Sequence, residues 1–91
     1  MEHKGSLYLV WLNKGQSSEP EFAASFIPHA AASHVANSRK FQGEEALQEY
    51  LIRSLRLKEV QLETVFFDLH NRGNAEIDSI NISEDDFRDR R

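Results

Sequence analysis

The chain has 91 residues, a formal net charge of −4 and no cysteine. Without cysteine there are no disulfides, thiolate zinc sites or cysteine nucleophiles, and a small domain without disulfides is typical of the reducing cytoplasm. The acidic balance and the lack of a basic face argue against binding to DNA or RNA. The longest apolar run, Leu7–Leu12, has six residues, whereas a membrane span needs about 20. We therefore expect a soluble cytoplasmic protein without nucleic-acid or membrane partners.

The length predicts a single small domain over residues 1–91, with loose ends at about 1–5 and 88–91. Ser6–Leu12 predicts the first strand, because it is rich in aromatic and aliphatic residues and is followed by turn residues. Its apolar residues are continuous rather than alternating. This pattern is typical of a strand covered on both faces, either by the rest of the chain or by helices on one face and a second copy of the protein on the other.

The next segment has two interpretations. Pro20–Pro28 predicts either a strand or a short helix, and the proline at its end favours the strand. In that case His29–Ser33 is a connection and His34–Phe41 is a second, polar strand suited to a sheet edge. The alternative makes Pro28–Asn37 an alanine-rich helix with proline in its first turn.

Residues 43–73 predict two neighbouring helices, each with a stripe that needs a partner surface. Glu44 and Glu45 fall in the first turn of the first helix, where the helix dipole favours carboxylates. Gly73 follows the second helix and suits the left-handed conformation that ends many helices. The stripes comprise Ala46, Leu47, Tyr50, Leu51, Ser54 and Leu55 in the first helix, and Leu62, Val65, Phe66 and Leu69 in the second.

Asn74–Ser83 predicts the last strand, in which Ile77 is out of phase with Ile80 and Ile82. A β-bulge would reconcile the two phases, as would partial covering of both faces. The predicted fold class is therefore α+β. We expect two adjacent helices on one face of a three- to four-stranded, mostly antiparallel sheet, in the order β-β-β-α-α-β, with the last strand beside the first.

Candidate catalytic and metal-binding residues are scattered along the chain. The four histidines, His3, His29, His34 and His70, follow no metal-binding pattern. The carboxylates fall among lysines and arginines on faces expected to be solvated, and no serine lies in a nucleophile motif. The sequence therefore assigns no catalytic, cofactor or metal residue, and a non-enzymatic role is favoured.

Aromatic residues left outside the stripes give the first functional hypothesis. Phe67 points about 100° away from the stripe of its helix, and Tyr8 and Trp11 fall on opposite faces of the first strand. We expect Phe67 and one aromatic residue of this strand to form an apolar patch for a partner. The simplest partner is a second copy of the chain in a two-fold homodimer.

The alternative hypothesis is a small-ligand-binding protein or small enzyme with a pocket between the sheet and the helices. Its walls would be Trp11, Tyr50 and Phe66, with His34 or His70 as the polar contact. No particular ligand or substrate is implied by these residues.

Overall fold

The structure is a computed structural model, and it describes residues 2–29 and 38–83. Six elements follow one another in the predicted order β-β-β-α-α-β. They are the strands β1 (Glu2–Trp11), β2 (Glu21–Pro28) and β3 (Ser38–Gln42), the helices α1 (Glu44–Arg53) and α2 (Glu59–Arg72), and the strand β4 (Asn74–Ser83). The predicted α+β class is confirmed.

The four strands form one antiparallel sheet in the order β3-β2-β1-β4. The most apolar strand, β1, is central and pairs with β2 on one side and β4 on the other. The predicted neighbours are therefore confirmed, and β3, which carries Arg39 and Lys40, lies at a sheet edge as expected for a polar strand.

The core lies between the helices and one face of the sheet, which we call the inner sheet face. Alternate residues of the strands point into it, and the buried positions of both helices pack against them. The fully buried large side chains are Leu7, Leu9, Phe22, Phe26, Leu47, Leu51 and Leu69. Both helices pack on the inner face, and within residues 2–29 and 38–83 no element covers the other face of β1.

The bulge expected in the last strand is present. Leu7 pairs with Ile77, whereas Gly5 pairs with Ile80, so β4 has one residue more than β1 between these pairs. The extra residue restores the phase, and both isoleucines contact the core.

The strands β2 and β3 pair antiparallel, whereas residues 30–37, which hold most of the alternative helix Pro28–Asn37, lie outside the described residues. β2 pairs with β3 from Glu21↔Gln42 to Ser25↔Ser38, so the helical interpretation of residues 20–28 is wrong. The predicted second strand is described only from Ser38 onward. Its earlier part, with His34 and most of the connection before it, lies outside the described residues.

The start of β1 differs from the prediction, whereas the end of α2 agrees with it. β1 begins at Glu2, so residues 2–5, which the sequence predicts to be loose, belong to this strand. Gly73 has a φ of 80°, and its N–H donates to the carbonyl of Leu69 at 2.9 Å. This left-handed glycine ends α2 as predicted and turns the chain into β4.

Candidate functional site

The face of the sheet opposite the helices, which we call the outer sheet face, carries a patch of apolar side chains. Tyr8 and Val10 of β1 and Ile27 of β2 lie there and expose 37%, 44% and 53% of their surface. Tyr8 pairs with Ser25 and Val10 with Ala23, so two of these large residues each lie beside a small one on β2. Contiguous exposed apolar residues on a flat sheet are typical of a surface that contacts another protein.

Charged residues border this patch on its two sides. On β4, the carboxylates of Glu76 and Asp78 project from the outer sheet face, and Ser6 of β1 donates a hydrogen bond to Asp78 Oδ1 at 2.7 Å. On β3, Lys40 is exposed in the row that also contains Ala23 and Val10. Around Tyr8 and Val10 the outer sheet face therefore has an apolar centre, with carboxylates on the β4 side and a lysine on the β3 side.

The two neighbouring carboxyl groups influence each other. A hydrogen bond with Asp78, together with desolvation and the negative charge of Asp78, raises the pKa of Glu76 above its usual value. The pKa of Asp78 is lowered, chiefly by the hydrogen bond from Ser6 and then by that with Glu76. Repulsion from the Glu76 carboxylate raises the pKa of Tyr8. Glu76 therefore keeps its proton to a higher pH than Asp78 does.

The three residues predicted to form an interface lie on different surfaces. Tyr8 is on the outer sheet face, while Phe67 is 65% exposed on α2, which packs on the other side of the sheet. Val60, seven residues before Phe67, is also exposed on α2. Trp11 is partly buried against the core. The structure thus places Tyr8 and Phe67 on separate surfaces. It adds Val10 and Ile27 to the outer sheet face, two residues that the sequence-based prediction did not include, although strict alternation along β1 and β2 would have placed both of them there.

Two of the residues predicted to line a pocket do meet. The ring of Trp11 contacts the edge of the His70 ring, with centroids 5.1 Å apart. His70 Nε2 lies 2.8 Å from Glu44 Oε1 and so joins the end of α2 to the start of α1. Both side chains of this pair are substantially exposed, and a surface pair of this kind is typically a structural contact of small energy.

The other predicted pocket residues fill space rather than enclose it. Tyr50 is buried and packs on Phe41, with ring centroids 5.1 Å apart, while Phe22 packs on Trp11 at 5.5 Å. Since Phe22 and Phe41 are paired across β2 and β3, these rings form a continuous layer under the helices. Phe66 is partly buried against the same core. His34, the remaining predicted contact, lies outside the described residues.

An open groove of about 880 Å³ lies along α1, beside the residues that precede β2 and the end of β3. None of the predicted pocket residues lines it; its walls include Glu19, residues 42–46, Glu49 and Ile52. Two of its carboxylates are already engaged, Glu44 with His70 at 2.8 Å and Glu49 with Arg53 at 3.6 Å.

Within residues 2–29 and 38–83, no group of three or more histidine and carboxylate side chains is arranged to hold a metal ion. No helix in the same part of the chain is long and apolar enough to cross a membrane. Neither the protein-family models, nor the curated proteins, nor the solved structures contain a match to this chain.

Proposed function

We propose that this protein is a non-enzymatic interaction domain that self-associates through its outer sheet face. The observation that carries this proposal is the juxtaposition of Tyr8, Val10 and Ile27, three large apolar side chains that remain about half exposed on one side of a four-stranded sheet. Burying them against a second molecule would remove apolar surface from water, which is the main favourable contribution to protein association. The absence of cysteine supports action in the reducing cytoplasm.

The outer sheet face is a better interface than the exposed side of α2. On α2, Val60 and Phe67 are two turns apart, and the polar residues Glu63 and Thr64 lie between them. The sheet instead presents its apolar residues on adjacent strands, where cross-strand neighbours are only about 5 Å apart. A continuous patch excludes water more completely than two separated side chains do.

The ligand-binding alternative has less support. The aromatic side chains expected to surround a ligand pack on one another, and Phe22, Phe41 and Tyr50 are buried between the sheet and α1. A pocket between these layers would require the rings to separate, with loss of their mutual contacts.

The test is a pair of glutamate substitutions that place the same charge on the two competing surfaces. Val10→Glu changes the middle of the outer sheet face, and Phe67→Glu changes the exposed side of α2. Both positions are exposed in the protomer, so both variants should remain folded by circular dichroism. Sedimentation velocity over a concentration series should show dimer for the native chain and for Phe67→Glu, and monomer for Val10→Glu.

Each other outcome contradicts a defined part of the proposal. A native chain that stays monomeric at the highest concentration rules out self-association. Dissociation by Phe67→Glu alone moves the interface to α2. A bound small molecule found by native mass spectrometry on a monomer favours the ligand-binding alternative.

A further inference from the structure

If two copies pack through the outer sheet face with their strands aligned, a two-fold axis in the interface can run either along the strands or across them. An axis along the strands places β1 of one copy over β2 of the other, and β4 over β3. An axis across the strands places each strand over its own counterpart. Side-chain size and charge distinguish these two arrangements.

Side-chain size favours the axis along the strands. On the outer sheet face, residues paired across neighbouring strands form rows that run across the sheet. An axis along the strands places each row over the same row of the second copy, with the order of the strands reversed. Tyr8 then faces Ser25 of the second copy, Val10 faces Ala23, and Ile27 faces Ser6. Every large residue meets a small one, so the two layers interdigitate. An axis across the strands stacks β1 on β1 and brings the large side chains together.

Charge favours the same arrangement. With the axis along the strands, the basic edge strand β3 lies over the acidic edge strand β4 of the second copy. Lys40 is in the row of Asn74, one outer-face position from Glu76, a step of about 7 Å along the strand that a lysine side chain can span. With the axis across the strands, β3 lies over β3 of the second copy and β4 over β4, which brings edges of like charge together.

We infer that the partner of the outer sheet face is a second copy of this chain, related by a two-fold axis along the strands, with Lys40 of each copy beside Glu76 of the other. This inference rests on the proposed function and adds the geometry of the interface. Four strands at their usual spacing give a flat area of roughly 400–500 Å² per copy. That area is at the small end of protein interfaces, so we expect a reversible dimer with a dissociation constant in the micromolar range.

Charge reversal tests the contact between copies. Lys40→Glu and Glu76→Lys each turn two attractive contacts of the dimer into repulsive ones, and each should weaken association about tenfold at low salt. An equimolar mixture of the two variants should form a heterodimer near the native affinity, because both of its contacts are attractive again. Lys58→Glu makes the same charge change at the start of α2, outside the outer sheet face, and should leave association unchanged.

Engineered cysteines test the axis directly, because the chain has no cysteine of its own. Residues that face each other across two packed sheets are about 10 Å apart, which is too long for a disulfide but within reach of a short thiol-reactive cross-linker. The double variant Lys40→Cys/Asn74→Cys should therefore give a covalent dimer with such a cross-linker, while each single variant should stay unlinked. A covalent dimer of Lys40→Cys alone would establish the other axis.

The outcomes separate this inference from the proposed function. If Val10→Glu dissociates the dimer but charge reversal and added salt leave the affinity unchanged, the outer sheet face is the interface and the axis is wrong. If Val10→Glu has no effect on the dimer, both proposals fail. Native affinity that increases with salt also contradicts the axis along the strands, because it indicates like charges in contact.

Discussion

Gly5 is the position where the smallest change should have the largest effect on stability. A Cβ atom at Gly5 would meet the carbonyl oxygen of Ile27, Cζ of Phe26 at 2.7 Å and Cα of Pro28 at 2.8 Å. Two of these three atoms belong to the backbone of β2, which pairs with β1 at Gly5↔Pro28, and the third is the end of a fully buried ring. The clash can be relieved only by separating the two strands or moving the ring.

Gly5→Ala should therefore destabilise the protein by about 2–3 kcal/mol, the cost of overpacking less the smaller entropy of the unfolded alanine chain. This is a large share of the roughly 5–14 kcal/mol expected for a domain of this length. Because Gly5 is not among the glycines with positive φ, the cost comes from packing rather than from the backbone conformation.

Gly15→Ala is the matched control. Gly15 has a φ of +91°, and no atom lies within 4 Å of a Cβ placed there. Its substitution incurs only the strain of the positive φ, so we expect a loss of about 1–2 kcal/mol. Urea denaturation at one protein concentration, followed by the fluorescence of Trp11, the single tryptophan, gives both values. The packing argument is refuted if Gly5→Ala is no more destabilising than Gly15→Ala.

Three further predictions concern polar groups. Asn13 joins the ends of the β1–β2 loop, because its side chain accepts a hydrogen bond from the N–H of Glu21 at 2.7 Å and donates one to the carbonyl of Glu19 at 2.7 Å. Asn13→Ala should lower the free energy of unfolding, measured by urea denaturation, by about 1–3 kcal/mol. A decrease of less than about 0.5 kcal/mol would contradict this role. Because the folded-state pKa of Glu76 is raised, its contribution to stability is complete at low pH and is lost as the pH rises through that pKa. Glu76→Gln should therefore stabilise the protein more at about pH 7 than at about pH 4, and an equal effect at both pH values would exclude the linkage. His70→Ala breaks a half-exposed pair and should cost no more than about 1 kcal/mol; a larger loss would show that this pair contributes more to joining the helices than its exposure indicates.

The predicted helices depended on short-range patterns, and these patterns were sufficient. Leu47, Tyr50 and Leu51 recur at helical spacing and are buried, whereas Ala46 and Ser54 of the same predicted stripe are exposed. Gly73 ends α2 because only a residue tolerant of positive φ suits that turn. The bulge in β4 was also predictable, since Ile77 and Ile80 can face one core only if an extra residue lies between them.

The functional surfaces were less predictable, because exposure depends on which face of each strand the helices cover. The alternation along β1 placed Tyr8 and Trp11 on opposite faces, but not which face the helices cover: Tyr8 faces outward, whereas Trp11 contacts His70 and the core. Phe67 could be recognised as exposed from its own helix, but its separation from Tyr8 depends on α2 lying on the inner sheet face. A pattern within one element contains no information on the distance to another element.

The sequence by itself determined the element types and their order, because periodicity and turn residues are local properties of the chain. It also determined that the last strand lies beside the first, because the most apolar strand, β1, is best buried in the centre of the sheet. Only the tertiary structure decided which face of the sheet the two helices cover, namely the face that carries Leu7 and Leu9. That decision leaves Tyr8, Val10 and Ile27 in water between Lys40 on one edge and Glu76 on the other. The reason is physical: two helices are enough to cover one face of a small sheet, and within the described residues no further element covers the second face.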